Sequence, residues 1–164
     1  MKISKVSMNN KRKEFSIVTG AGAAYSYPYA EAVPRPDSEN RVREVYVDKE
    51  LGSEAITYTL NSGEEGSIHI EQVLEYNEDP KYMAELLTYK LTLQARKRVE
   101  TCGLSRRQIA KRLRTSVPQL YRLLDPANTS KSINQLVALL HVLRCKVDLV
   151  VHQRKASSPP SFRA

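Results

Sequence analysis

The sequence predicts an α+β protein: a small antiparallel β module followed by an all-α lobe with a short closing strand. Three observations predict it. Short β-prone runs separated by turn residues fill the chain from Glu14 to Tyr76. A breaker-free, apolar-periodic stretch then opens at Pro80, and Ser-x-x-Gln patterns follow at residues 105, 116 and 132. The charge also changes sign between the halves. Residues 1–80 hold 9 Lys+Arg against 14 Asp+Glu, and residues 81–164 hold 17 against 4, so the formal net charge of +8 joins a half at −5 to one at +13. Such asymmetry indicates two modules with different partners, and the basic half is suited to a polyanion.

Each element has its own local reason. Residues 1–13 are polar, end in Lys11-Arg12-Lys13 and read as a disordered tail. Phe15-Ser16-Ile17-Val18-Thr19 is a short strand stopped by Gly20-Ala21-Gly22. Tyr25-Ser26-Tyr27-Pro28-Tyr29 alternates aromatic and small residues, and Pro28 confines it to a sheet edge or an extended segment. Val33-Pro34-Arg35-Pro36-Asp37-Ser38 is a loop dense in breakers. Val42–Val47 and Ala55–Leu60 read as half-buried strands, and Asn61-Ser62-Gly63 turns the chain into Gly66–Ile70 as a hairpin partner. The result is an acidic β module over residues 14–76.

The helical domain is expected over residues 77–151. Asp79 suits an N-cap and Pro80 the first helical position, where its missing N–H costs nothing. Leu87, Leu91, Ala95 and Val99 form one apolar stripe up to Cys102, and Gly103 fits a left-handed helix end. Ser105/Gln108, Ser116/Gln119 and Ser132/Gln135 each fit a capping box. They predict helices over 105–113, 116–124 and 132–144, with Ile109, Leu113, Leu120, Leu123, Leu124, Leu136, Val137 and Leu140 facing inward. Lys146–Val151 reads as the closing strand and residues 152–164 as a disordered tail.

Several function classes find no residues to support them. No run of 18 apolar residues exists, and the basic start lacks the apolar stretch and cleavage site of a secretory signal. Cys102 and Cys145 have no disulfide or zinc-type spacing and read as small buried hydrophobes in a reducing compartment. His69, His141 and His152 lack metal-ligand spacing, and no GxSxG, HExxH or Walker pattern occurs. Gly20-Ala21-Gly22 lacks a third glycine and reads as a loop. Glu64, Glu65, Glu71 and Glu75 read as a solvated acidic face, and Tyr25, Tyr27 and Tyr29 as side chains packed along the sheet. The expectation is a non-enzyme without cofactor or metal, in the cytoplasm, and with the nucleoid when bound to DNA.

The stretch Gln108-Ile109-Ala110-Lys111-Arg112-Leu113-Arg114-Thr115-Ser116-Val117-Pro118-Gln119-Leu120-Tyr121-Arg122-Leu123-Leu124 resembles the helix-turn-helix of the lambda-repressor-like, or Xre-type, DNA-binding family. Ala110 falls where that family needs a small residue for the helices to cross, and Leu120 where an aliphatic residue pins the recognition helix. The resemblance covers roughly residues 82–145. Arg114 stands where the family commonly has glycine, and Asp125-Pro126 replaces a common polar-Gly pair.

The resemblance implies a transcriptional regulator that binds specific double-stranded DNA. A recognition helix needs one apolar and one polar face. Leu120, Leu123 and Leu124 supply the first; the Ser116 hydroxyl, Val117, Gln119, Tyr121 and Arg122 are available for the second, on a helix opened by Pro118. Gln119 suits adenine, Arg122 guanine and Val117 a thymine methyl. The resemblance places Arg106 and Arg107 at phosphate or an outer base, and Lys111, Arg112 and Lys131 are read as phosphate clamps. Specific reading by so short a helix calls for a homodimer on two half-sites, with Val147–Val151 available to pair across a two-fold axis. The alternatives are an antitoxin that grips a toxin through its β module and represses its own operon, or an interaction module that binds an acidic protein.

Overall fold

The computed structural model describes residues 1–151 and is α+β, two three-stranded antiparallel sheets followed by helices. The chain divides into two compact units between Asp79 and Pro80. The expected tail at 152–164 lies outside the described residues.

In the first unit, β1 (Ile3–Asn9), β2 (Glu14–Thr19) and β3 (Ala24–Pro28) form one meander. β4 (Val42–Asp48), β5 (Ala55–Leu60) and β6 (Glu65–His69) form the other, and α1 (Ile70–Tyr76) follows. The expectation of a tail over 1–13 is corrected: β1 pairs with β2 from Ile3↔Thr19 to Asn9↔Glu14. Its polar composition misleads because it is an edge strand that buries only Ile3 fully. Asn9 then turns the chain, its Oδ1 accepting from the Lys11 and Arg12 amides at 3.2 and 3.0 Å. Pro28 does close an edge strand.

The two sheets share one core. Phe15 lies 4.6 Å from Tyr29 and 5.1 Å from Tyr58, ring centre to ring centre, so aromatic side chains of both meanders interlock. Tyr27 and Tyr29 are buried, and the Tyr25 hydroxyl donates to Asp79 at 2.9 Å. β5, expected to be half-buried, is buried at all six positions. Its two threonines are tolerated there because Thr57 donates to Asp48 at 2.8 Å and Thr59 to Glu65 at 3.4 Å. The strand reading also ran too far: β6 stops at His69, and Ile70, Val73 and Leu74 bury the inner face of a helix.

In the second unit, α2 (Pro80–Thr101), α3 (Arg106–Arg112), α4 (Val117–Leu124) and α5 (Ile133–Val142) enclose a core of Ala95, Val99, Ile109, Ala110, Leu120, Leu123, Leu124, Leu136, Leu139, Leu140 and Leu143. Leu139 and Leu143 take the inward places expected for Val137, which is exposed. Ser105/Gln108 and Ser132/Gln135 are reciprocal capping boxes, whereas Ser116 is a one-sided cap accepting from the Gln119 amide at 3.3 Å. The expected closing strand is absent: residues 146–151 carry no strand, and Leu149, Val150 and Val151 are exposed. Its apolar run has the composition of a strand, but among the described residues no strand of the second unit offers backbone partners. Among the described residues no helix is long and apolar enough to cross a membrane.

Candidate nucleic-acid interface

α3 and α4 are short helices joined by the turn Leu113–Ser116. The turn closes by a hydrogen-bond pattern typical of helix ends: Arg114 N–H donates to the Lys111 carbonyl at 3.2 Å and Thr115 N–H to the Ala110 carbonyl at 3.0 Å. This pattern needs a left-handed residue, and Arg114 supplies it at φ 54°. An arginine thus occupies a conformation that glycine adopts without steric cost. Two further helices end the same way without glycine, at Glu78 (φ 47°) and Arg144 (φ 58°).

α4 divides cleanly into two faces. Leu120, Leu123 and Leu124 are buried, and Val117 is half-buried against the same core. Pro118, Gln119, Tyr121 and Arg122 are exposed. Arg106, on the first turn of α3, places its guanidinium carbon 5.8 Å from the Tyr121 ring centre, so the two helices meet on their outer side through a cation–aromatic contact. Arg107, Lys111, Arg112 and Arg114 are also exposed. No carboxylate occurs between Glu100 and Asp125. Among the described residues, no ion pair engages Arg106, Arg107, Lys111, Arg112, Arg114 or Arg122.

Three of the expected site residues serve other purposes. Lys131 is not a phosphate clamp. It is 8% exposed, and its Nζ donates to the Leu123 carbonyl at 3.3 Å and to the Asp125 carbonyl. Burial pushes its pKa below the ordinary lysine value, with Asp125 pulling the other way. Ser116 uses its hydroxyl oxygen as the α4 cap. Val117 spends its side chain on the core rather than on solvent.

The Lys131 contacts complete the end of α4 at Asp125-Pro126. Asp125 has φ −78° and ψ 114°, an extended backbone that breaks the helix without the left-handed ending of α3. The orphan carbonyls are met by side chains instead: Asn128 Nδ2 donates to Arg122 at 3.0 Å, and Lys131 donates to Leu123 and Asp125. The candidate missed by sequence reasoning is Arg114. The run of cations from Arg106 to Arg114 contained the signal, although Arg114 itself stands at a turn whose left-handed backbone favours glycine.

Among the described residues no group of histidine, cysteine, aspartate and glutamate could hold a metal. Comparison of the chain with protein-family models, curated proteins and solved structures found no match.

Proposed function

We propose that the second unit binds duplex DNA with α4 in the major groove and that the protein regulates transcription from the bound site. The observation that carries this reading is the outer face of α3 and α4. Gln119, Tyr121 and Arg122 are exposed beside five further cations, and among the described residues none of these six cations has a carboxylate partner. A solvated surface helix ordinarily intersperses both signs; a one-signed face around exposed base-reading side chains suits a polyanion. Gln119 offers the amide pair that matches adenine and Arg122 the guanidinium fork that matches guanine. Arg107, Lys111, Arg112 and Arg114 supply phosphate contacts that position the helix without carrying sequence information. Ser116 and Lys131 cap the two ends of α4 and act by holding it in place.

Selection of bound sequences from a random duplex pool tests the reading. The expected outcome is enrichment of a short motif whose preference at one position is lost in Arg122→Ala. Recovery of an unenriched pool by the folded protein would overturn specific recognition.

A further inference from the structure

We propose that α2 is a self-association helix, pairing antiparallel with the same helix of a second copy. This goes beyond the DNA-binding reading and does not depend on it. Only the second half of α2 serves its own domain core, since its buried residues are Thr92, Ala95 and Val99. Residues 80–91 include no buried position. Yet this half is apolar on more than one side, with Met83, Leu87 and Tyr89 exposed and Tyr82 and Leu86 half-buried. Met83, Leu87, Tyr89 and Leu93 thus leave apolar surface outside the helix's own core that a partner can cover.

The spacing identifies that partner. Tyr82, Leu86, Tyr89 and Leu93 follow steps of four, three and four, which form one straight stripe on a helix. The stripe lies about 120° round the helix from Thr92, Ala95 and Val99, so both faces can be occupied at once. The order of steps reads the same in both directions about the midpoint between Leu87 and Thr88. A second copy reversed end for end therefore sets Leu86 level with Tyr89 and Tyr82 level with Leu93, in four apolar layers. Glu85 and Lys90 flank the stripe on opposite sides and leave the seam with a charged rim. A two-fold axis requires such self-complementarity.

Two twelve-residue stripes packed this way cover on the order of 1,000 Å² in total, the lower end for a specific interface. Tyr89 and Leu93, at 44% and 40% exposure, can be changed without opening the domain core.

Sedimentation of the full chain without DNA, from about 1 to about 100 µM, is the test. The expected result is a shift from monomer to dimer across that range. The variant carrying Tyr89→Glu and Leu93→Glu should keep its helical circular dichroism and weaken dimerisation more than tenfold. A wild-type monomer throughout, or a folded variant that dimerises unchanged, overturns the proposal. Orientation is read in a Cys102→Ser, Cys145→Ser background. Copies carrying Tyr82→Cys and copies carrying Leu93→Cys should form a mixed disulfide on oxidation. Neither should crosslink to itself, because identical positions of the antiparallel pair lie about 16 Å apart along the axis. Homodisulfides in place of the mixed one would show a parallel pair and refute the arrangement. DNA is absent from both measurements, so their failure is distinct from failure of the proposed function.

Discussion

Replacing Lys131 with methionine keeps the aliphatic stem but removes the ammonium that closes α4. The Leu123 and Asp125 carbonyls then lose their donor at a position only 8% exposed. Hydrogen bonds from charged groups contribute about 1.5–3 kcal/mol each, and the cost of burying the ammonium offsets part of the pair, leaving a net loss of about 2 kcal/mol. For a unit of this size that loss lowers the melting temperature by roughly 8–15 °C. Thermal melts of the full chain by circular dichroism measure it. The same variant separates two roles for Lys131. A helix cap, once lost, destabilises the second unit and leaves the salt slope of DNA binding unchanged at temperatures where the variant is folded. A phosphate clamp does the reverse, with the melt unaltered and the slope reduced by about one. An unchanged melting temperature with a shallower slope would refute the capping argument.

Three other outcomes are expected. Arg122→Ala should cost about 1–3 kcal/mol of binding to the selected site and relax preference at one base position, whereas Lys111→Ala should weaken all sequences alike in a mobility-shift titration. Arg114→Gly should stabilise the second unit by about 1 kcal/mol because the left-handed turn no longer opposes a side chain, while DNA affinity falls through loss of a cation. An unchanged or lower melting temperature would count against the strain argument. Burial pushes Tyr29 and Tyr58 up to about 12, above the ordinary value of 10, so the folded first unit holds their protons more tightly than the unfolded chain. Their contribution is intact below pH 10 and is lost as pH rises toward 12, at about 2–3 kcal/mol for each tyrosine. Ultraviolet titration should therefore show these tyrosines ionising together with unfolding; ionisation near pH 10 in an intact fold would contradict it.

How much of this was legible depended on whether a local rule or a tertiary partner decided the outcome. The helices α3, α4 and α5 begin one residue beyond Ser105, Ser116 and Ser132, as capping chemistry dictates, because a cap is decided within four residues. β1 and the missing closing strand failed in opposite directions for one reason. Strand identity rests on a neighbour, and polar Ile3–Asn9 has β2 beside it while apolar Val147–Val151 has no strand partner among the described residues. α1 carried a readable signal in Ile70, Val73 and Leu74, spaced by three and one, but the β rhythm of the preceding residues was extended over it.

The site follows the same division. Side-chain chemistry was readable: Gln119, Tyr121, Arg122 and the cations from Arg106 to Arg112 stand on the outer faces of adjoining helices. Burial was not. Lys131 looks in sequence like any other cation of the basic half, and its burial follows from events five and six residues upstream. Pro126 prevents α4 from continuing, and Asp125 takes an extended backbone rather than a left-handed one. The carbonyls of Leu123 and Asp125 then need a donor, and the chain returns at residue 131 with a side chain long enough to reach both. The extended, proline-blocked ending of α4 and the burial of Lys131 against its carbonyls are therefore one event. A glycine ending at α4 would free Lys131 for solvent. Combining Asp125→Asn with Pro126→Gly should accordingly raise Lys131 exposure, and faster amine acetylation at that residue would show it.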